Sequence, residues 1–591
     1  MKQANRTRGW VKALMLFGLL ACLPFTAAAQ QLTVTVESEG QLGDQLPDSI
    51  RYSMTDLKVC GPLNGSDLKV IQLITSRLKA KKSTDQVLTS LDLSEAQIGE
   101  SKNINVRTKS NALPAAMFLN CKSLERVILP NNLTEISRSC FSGCVSLKEV
   151  VIPDGAEIIS DYAFNNCVSL EKLTLPEHLK TIDNHAFDGC VSLSELELPE
   201  SVNLIDVYAF NNCKALESID MHETALTRIS NNTFTGCLAL KDIMLPDGVT
   251  TIGNEAFLDC TSLETIQMPE NISEIGNSAF ENCSSLLSIE MKTATRIGSD
   301  AFQGCSSLKS VDIENVDRMG NSAFQNCSGL TSVMLDGNLQ AIGSETFSGC
   351  ISLASVTLPN SVKAIGSRAF YECRSLPAID LPESLSRIYD HAFENCSSLK
   401  TLHIPSMTKQ LGSDTFENCI SLDSVHVQGF IEKLEDDVFR YCRSLRVILL
   451  PVSVRSIGDN TFQECSSLSV ITLPIAVRSI GDNAFEKCLS LKDIIVPAAC
   501  TSIGSGAFRE CSGLSRVELP AAIKKIEGNA FAKCAALLDI SIGAPKPPVI
   551  TASTFKGVVT NACRLTVPRG AKSNYQKDKS WKKFSLISEQ N

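Results

Sequence analysis

The sequence predicts a parallel β-solenoid, a fold in which short coils of chain stack along one axis. The first observation is a recurring group of three residues, in which a Phe lies three residues before a Cys and a Leu lies three residues after it. This group occurs nineteen times, and we name its cysteines the cysteine ladder. The second observation is the interval between successive ladder cysteines, which is 23 residues apart from one interval of 24 and two of 22. The ladder consists of Cys121, Cys144, Cys167, Cys190, Cys213, Cys237, Cys260, Cys283, Cys305, Cys327, Cys350, Cys373, Cys396, Cys419, Cys442, Cys465, Cys488, Cys511 and Cys534.

The third observation is a strand signature in the first half of each repeat. After Cys144, the residues Leu147, Val150 and Ile152 have the L-x-x-L-x-L spacing of a leucine-rich repeat, in which alternate residues of a short strand point inward. A Pro ends this strand in thirteen of the nineteen repeats. The second half carries an Ile and then an Ala-Phe pair, which predicts a tight turn and an outer wall. The predicted fold is a leucine-rich repeat solenoid of about 19 repeats of 23 residues, with a parallel β-sheet along one face and a wall of turns and short strands.

One repeat cannot bury its own apolar residues, so the coils must stack and the two ends must be capped. Nineteen strands about 4.8 Å apart predict one continuous sheet about 90 Å long. We assign residues 30–110 to an N-terminal cap with a degenerate repeat, 111–543 to the solenoid and 544–591 to a C-terminal cap. The N-terminal cap should begin with a strand at 32–36, continue through residues 57–63 and a helix over 67–79, and include a degenerate repeat at 88–93. The C-terminal cap should hold an aromatic plug of Tyr575, Trp581 and Phe584.

Residues 1–29 have the features of an export signal. Four basic residues precede an apolar run from Ala13 to Phe25 that is too short to span a bilayer comfortably, and small residues follow up to Ala29. Cleavage after Ala29 changes the formal net charge from −10 to −14, because the signal carries four positive charges. A competing interpretation is a lipobox that ends at Cys22, which would then be lipidated. The chain is expected to be exported, secreted or held at the outer surface, with no integral membrane segment once the signal is removed.

The sequence has 24 cysteines, which in an exported protein would ordinarily indicate disulfides. Their spacing argues against this, because side chains stacked in parallel do not easily reach the dihedral angle near ±90° that a disulfide needs. We interpret the cysteine ladder as a buried column of free thiols that pack as small apolar side chains. The chain has no C-x-x-C pair and only six histidines, so no cofactor is predicted.

The repeat resembles a known family. The units Cys-x-Ser-Leu-x-x-Val-x-Leu-Pro and Ile-Gly-x-x-Ala-Phe, with the closing Tyr575, Trp581 and Phe584, are similar to those of BspA-like bacterial leucine-rich repeat surface proteins over roughly residues 57–591. The resemblance implies a secreted or outer-surface protein that adheres to host matrix proteins or to other bacteria. It supplies no binding-residue motif, so it assigns no site residue.

A binding site is expected at the outward positions of the strands, because the inward positions form the core. Acidic residues occupy these positions in two stretches, one of Glu195, Glu197 and Asp220 and one of Glu290 and Asp312. Carboxylates one strand apart repel each other unless they meet a cation or a basic partner. These stretches indicate either a ligand-binding surface or a surface kept soluble by its charge.

The same face carries a short row of side chains that could bind a metal. Asp380, His403 and His426 occupy equivalent strand positions in consecutive repeats, about 5 Å apart. Carboxylate and imidazole suit zinc or a pH-sensitive contact, but three ligands in a straight row make a poor tetrahedral site. The row is a weak metal candidate beside the interpretation that these are solvated surface side chains.

A third stretch of the face is apolar and contains Val447, Leu449, Val470 and Ile495. Contiguous exposed apolar side chains often mark an interaction surface, although β-branched residues also simply suit strands. Both interpretations stay open from the sequence.

The sequence argues against an enzyme, because it has no nucleophile elbow, no phosphate-binding glycine loop and no H-E-x-x-H motif. Its acidic charge disfavours nucleic acid as a partner. We predict an exported, adhesin-like cell-surface binding protein that uses the sheet face to bind host extracellular matrix or other proteins. The alternative is a structural, self-associating surface scaffold without a host ligand. Glycan binding is less favoured, because this face has few aromatic side chains to stack on sugars.

Overall fold

The structure is a computed structural model that describes residues 31–51, 54–76, 87–101 and 108–590. It is a parallel β-solenoid of stacked coils, which confirms the predicted fold class. The export signal predicted at 1–29 and the lipidation candidate Cys22 lie outside the described residues. In the described part of the chain, no helix is long and apolar enough to cross a membrane.

One side of the solenoid is formed by strands of two to four residues, and we name it the strand face. Side chains alternate along each strand, so that in Glu195–Glu197 the central Leu196 is buried and both Glu side chains are exposed. The strands of this face are Ser90–Asp92, Arg126–Ile128, Glu149–Val151, Glu195–Glu197, Ser218–Asp220, Asp242–Met244, Thr265–Gln267, Ser288–Glu290, Ser310–Asp312, Ser332–Met334, Ser355–Thr357, Thr401–Ile404, Ser424–Val427, Val447–Leu449, Val470–Ile471, Asp493–Ile495, Arg516–Leu519, Asp539–Ile542, Arg564–Val567 and Leu586–Glu589.

Hydrogen bonding along the strand face is interrupted, so the prediction of one continuous sheet is wrong. The face consists of separate sheets of four to six strands. One interruption lies in the coil of Cys373, which forms no strand here because Pro377 has no N–H to donate. Another lies in the coil of Cys167, where Lys172 makes only an isolated bridge to Glu195.

A second row of parallel strands, each of two residues, follows the loop after the strand face. The inward residue of each is apolar, and Ile159 and Ile182 in neighbouring coils are examples of it. The row consists of Glu135–Ile136, Ile158–Ile159, Thr181–Ile182, Leu204–Ile205, Arg228–Ile229, Thr251–Ile252, Glu274–Ile275, Arg296–Ile297, Arg318–Met319, Ala341–Ile342, Ala364–Ile365, Arg387–Ile388, Gln410–Leu411, Lys433–Leu434, Ser456–Ile457, Ser479–Ile480, Ser502–Ile503 and Lys525–Ile526. The remaining side of each coil is a series of turns, which confirms the predicted wall of turns and short strands.

The core is a stack of the repeated apolar residues. The Phe rings of successive coils stack nearly parallel from Phe118 to Phe555, with ring centroids 5.1 to 5.7 Å apart. The ladder cysteines and the Leu three residues after each of them are buried along the whole stack. The most regular residues of the sequence are therefore core residues, and the predicted packing role of the cysteine ladder is confirmed.

The ladder thiols also form hydrogen bonds that the sequence did not predict. From Cys144 to Cys534 each thiol donates to the carbonyl oxygen of the Phe in the preceding coil, as Cys167 Sγ does to Phe141 O at 3.1 Å. All 23 cysteines of the described residues are buried with free thiols. Burial raises the pKa of the Cys167 thiol to about 12, so the side chain stays neutral and unreactive.

Additional elements cover the two ends of the solenoid. The first end has strands Gln31–Thr35, Asp56–Leu63 and Ala96–Ile98 and helices Leu42–Gln45, Asp48–Arg51 and Gly65–Thr75. Asn64 is the N-cap of the longest helix and forms a capping box with Asp67. Residues 77–79 of the predicted helix lie outside the described residues. The other end has helix Lys572–Lys577 and the 3₁₀ turn Trp581–Lys583 between the last two strands of the strand face.

The predicted aromatic plug is present at the C-terminal end. Tyr575, Trp581 and Phe584 are buried, and the Trp581 ring lies 5.6 Å from the last ring of the Phe stack, Phe555. The polar atoms of the plug are satisfied as well, because Tyr575 Oη donates to Ala544 O at 2.8 Å and Trp581 Nε1 donates to Pro548 O at 2.9 Å.

Candidate binding surface

The first acidic stretch of the strand face is in register, as the sequence predicts. Glu197 and Asp220 are direct partners on paired strands. Basic side chains of the same surface contact two of the three carboxylates: Lys172 Nζ lies 2.9 Å from Glu195 Oε2, and His222 Nδ1 lies 2.6 Å from Asp220 Oδ1. The hydrogen bond from His222 holds the pKa of Asp220 below its usual value. His222 stands where most repeats have the strand-ending Pro.

The second acidic stretch repeats this arrangement with a longer ion pair. Glu290 and Asp312 are direct partners on paired strands, and Lys292 Nζ lies 3.9 Å from Glu290 Oε2. Lys292 also replaces the strand-ending Pro. Glu197 and Asp312 have no ion pair among the described residues. Three of the five carboxylates therefore have a basic partner on the same or the neighbouring coil, which favours the interpretation that their charge keeps the surface soluble.

The structure does not bring the three residues of the candidate metal row into one register. His403 and His426 are direct partners with ring centroids 5.2 Å apart, but Asp380 belongs to the coil that forms no strand, so it is not in register with them. In the described part of the chain no group of three or more His, Cys, Asp or Glu side chains could hold a metal ion. The two histidines are exposed surface residues.

The apolar stretch forms a patch on the strand face. Val447 and Val470 are direct partners, and Leu449 follows on the same strand as Val447. Ile495 lies two coils beyond Leu449, with Thr472 at the equivalent position between them. The exposed fractions of the four apolar side chains lie between 45% and 64%. We name Val447, Leu449, Val470 and Ile495 the apolar patch.

The apolar surface continues into the loops that follow the strands, and this part of it was not predicted from the sequence. Met407, Phe430, Val452 and Ile475 lie in these loops on four consecutive coils, and their exposed fractions are between 56% and 80%. We name these four residues the apolar rim. Their recurrence at intervals of 22 and 23 residues is visible in the sequence, but only the structure shows that these loop side chains point to solvent.

Paired charges border this apolar surface. Arg446 Nη2 donates to Asp423 Oδ2 at 2.8 Å, and Arg455 Nη2 lies 3.5 Å from Glu432 Oε1. An apolar centre with a charged border is the usual composition of a protein interface. The surface lies on open strands and loops, so the geometry suits binding to a broad partner.

The repeat, the two strand rows and the buried ladder define the chain as a protein of the leucine-rich repeat class. It belongs to the family of the BspA type leucine rich repeat region, whose model describes six repeat copies and matches residues 111–237, 227–339, 317–446 and 432–560. The resemblance seen in the sequence is thereby confirmed. Solenoids of this class generally act by binding proteins and are generally not enzymes.

Several solved structures are similar to the chain. A leucine-rich repeat protein from Bacteroides ovatus is 30% identical, with 59% of this chain and 90% of that protein covered and a TM-score of 0.51. A leucine rich cell surface protein from Faecalibacterium prausnitzii is 26% identical, with 54% of this chain and 83% of that protein covered and a TM-score of 0.32. A leucine-rich repeat protein from Eubacterium ventriosum is 21% identical, with 50% of this chain and 83% of that protein covered and a TM-score of 0.35. No curated protein matches the chain.

Proposed function

We propose that the chain is an exported, adhesin-like cell-surface protein that binds other proteins, host matrix proteins among them, through the strand face. The observation that carries this proposal is the continuous exposure of apolar side chains over the apolar patch and the apolar rim. Eight large apolar side chains at about half exposure or more, on neighbouring coils, are more than scattered surface residues.

The energetics favour a partner that covers this surface. Burying the exposed remainder of a side chain such as Leu449 contributes about 1 kcal/mol, so the eight side chains together supply several kcal/mol of the binding free energy. The strands that carry the apolar patch are held by the core stack beneath them, so little conformational entropy is lost on binding. The acidic stretches lie on other coils, where Glu197 and Asp312, which have no ion pair among the described residues, add electrostatic attraction to a basic partner.

Export and surface location rest on the sequence of residues 1–29. A basic start, a short apolar run and a small-residue cleavage site favour export, and Cys22 offers a lipid anchor as the alternative to release. Intact mass of the protein recovered from its native host distinguishes these outcomes, because lipidation retains Cys22 and adds acyl mass, whereas simple cleavage begins the chain at Gln30.

The binding proposal is tested with immobilised extracellular-matrix proteins and the exported chain. Leu449→Asp places a charge in the centre of the apolar patch, and we expect it to weaken a saturable interaction about tenfold or more. Thr357→Asp is the matched control, because Thr357 is exposed at the equivalent strand position four coils away. Equal binding by both variants would show that the apolar patch is not the contact.

The same variants separate the proposal from a self-associating scaffold. Sedimentation velocity at increasing concentration measures whether the apolar surface of one copy is covered by another. Self-association that Leu449→Asp abolishes, without saturable binding to any matrix protein, would contradict the proposal and favour the scaffold.

A further inference from the structure

Formal charge is distributed very unevenly along the chain. Residues 151–430 contain 15 Lys or Arg and 37 Asp or Glu, which gives −22. Residues 431–540 contain 13 of each sign and are neutral. Residues 541–591 contain nine Lys or Arg and two Asp or Glu, which gives +7. The net charge of −10 therefore conceals a basic C-terminal end beside an acidic solenoid.

The cations of this end are all exposed. None of the nine has an ion pair among the described residues, whereas solenoid lysines such as Lys487 and Lys533 pair with Glu464 and Glu510 in the preceding coil at 2.7 Å. We name the nine residues the basic cap. They are Lys546, Lys556, Arg564, Arg569, Lys572, Lys577, Lys579, Lys582 and Lys583, and the side chain of each is exposed.

The two acidic residues of the same segment are already counted in its net charge of +7, and within the described residues they form no ion pair with these cations. Their carboxylates accept hydrogen bonds from backbone N–H groups. Asp578 Oδ1 accepts from Ser580 N at 2.8 Å and from Trp581 N at 3.1 Å, which fixes the turn between the helix and the 3₁₀ turn. Glu589 Oε1 accepts from Lys572 N at 3.2 Å at the start of the helix. The positive charge of the cap is therefore available to an external anion.

The buried aromatic plug holds the backbone of the basic cap in place. Lys582 and Lys583 lie between the buried Trp581 and Phe584, and Lys572 and Lys577 stand on the helix that buries Tyr575. The exposed ammonium groups are thus presented by a rigid end of the solenoid. A preorganised cluster of cations attracts a polyanion with little loss of backbone entropy.

We propose that the basic cap binds a linear acidic polysaccharide, that is, a chain of sugars carrying sulfate or carboxylate groups. Seven of the nine cations are Lys, which binds anions as a point charge without fixed geometry. The cations occur on a loop, a strand, a helix and a turn in succession, and a flexible polymer can follow such a series. The large rings of the plug are buried, so they offer no platform for stacking the bases of a nucleic acid.

The acidic solenoid determines how such a polymer is bound. A polyanion that is attracted by the +7 end is repelled by the −22 segment, so contact is confined to the C-terminal end. The strand face then remains free for a protein partner. This site is distinct from the apolar patch, and its contacts depend on charge instead of stacking.

The test compares dextran sulfate and polygalacturonate with uncharged dextran as probes of the full exported chain. The cap variant carries Lys→Gln at 572, 577, 579, 582 and 583. The control variant carries Lys→Gln at 148, 172, 180, 241 and 487, which removes the same charge from solenoid lysines that are already paired. We expect the wild type and the control to bind both acidic polymers, and the cap variant to bind about tenfold or more weakly at low salt, with a smaller dependence of affinity on salt.

Circular dichroism and thermal unfolding establish that both variants fold. Retained binding by the folded cap variant would overturn the proposal, and so would equal loss in both variants or equal binding to uncharged dextran. Binding to anionic phospholipid vesicles but not to either polysaccharide would also overturn it, as would salt-dependent association of two copies in the absence of any polysaccharide binding.

Discussion

The thiol of Cys167 donates a hydrogen bond to the carbonyl oxygen of Phe141, 3.1 Å away in the preceding coil. The same oxygen accepts the backbone N–H of Cys144 at 3.0 Å within its own coil. Because a carbonyl oxygen has two lone pairs, the thiol satisfies the one that the coil itself leaves open. This hydrogen bond explains why a small apolar residue without a donor, such as Ala, does not fill the ladder position. The ladder cysteines therefore fill core volume and also link each coil to the preceding one by a hydrogen bond.

Replacing one ladder cysteine in the middle of the solenoid should test both contributions. Cys350→Ala removes the bond from Cys350 Sγ to Phe324 O, 3.2 Å long, and leaves a small cavity at a fully buried position. We expect a loss of about 1–2 kcal/mol in the free energy of unfolding, measured by guanidinium denaturation. An unchanged midpoint would show that the hydrogen bond and the sulfur volume contribute nothing to stability.

The sequence predicted the coil and its core because each depends on a strict period. Residues such as Phe164 and Cys167 occupy one position in every coil, so their burial follows from the repeat alone. The ion pair of His222 with Asp220 and the outward direction of Phe430 could not be predicted, because they depend on loop geometry where the repeat is irregular. The interruption at Pro377 could have been predicted, since a Pro inside a strand signature removes a donor.

Glu417 should make stability depend on pH. Burial, and then the nearby Glu394 and Asp414, raise its pKa from the usual carboxyl value to about 7. Since the folded state binds this proton more tightly than the unfolded state, its contribution to stability is fully present below about pH 4.5 and is lost as the pH rises from there to about 7. Glu417→Gln should therefore raise the melting temperature at pH 8 and make the melting temperature depend less on pH between about pH 4.5 and 7. Glu281→Gln is the matched control, because Glu281 occupies the equivalent position in another coil. If the melting temperature of Glu417→Gln still fell steeply with pH in this range, the pH dependence would not come from Glu417.

The ion pair of Arg509 and Glu486 should contribute more to the stability of the fold than the exposed ion pairs do. The Glu486 side chain is almost completely buried, and it accepts from Arg509 Nε at 2.8 Å and from Gln463 Nε2 at 2.6 Å. Arg509→Ala leaves a buried carboxylate without its cation, so we expect the free energy of unfolding to fall by about 3 kcal/mol. Lys148→Ala, which removes an exposed partner of Glu125, should cost less than about 1 kcal/mol. Comparable losses in the two variants, measured by chemical denaturation, would contradict this ranking.

Gly298 should be intolerant of any side chain because the coils approach closely there. A Cβ atom added to it would lie 2.5 Å from Asn277 N, which is backbone and cannot move aside. Gly298→Ala must therefore separate two coils and weaken the bond from Ser299 N to Asn277 Oδ1, now 2.9 Å. We expect the free energy of unfolding of Gly298→Ala to be about 2 kcal/mol lower than that of the wild type. Gly43→Ala is the control, because the added Cβ would lie 3.6 Å from its nearest neighbour, and equal melting temperatures for the two variants would refute the steric argument.

Trp581 should control whether the C-terminal end of the solenoid stays closed. Its ring is fully buried against Phe555, and its Nε1 donates to Pro548 O at 2.9 Å. Trp581→Ala removes both the packing and the bond, so we expect a local loss of about 3–5 kcal/mol. Trp581→Phe keeps most of the packing and leaves only the carbonyl unpaired, so it should cost about 1–2 kcal/mol.

Hydrogen exchange followed by mass spectrometry distinguishes a local from a global effect of these substitutions. Since each coil contacts only its neighbours, Trp581→Ala should remove protection from peptides within 564–590 and leave the coil of Cys167 protected. Trp581→Phe should retain protection at both places. Uniform loss along the chain in Trp581→Ala would contradict this expectation, because it would mean that the plug is required for the whole solenoid to fold and not only for closing its last coil.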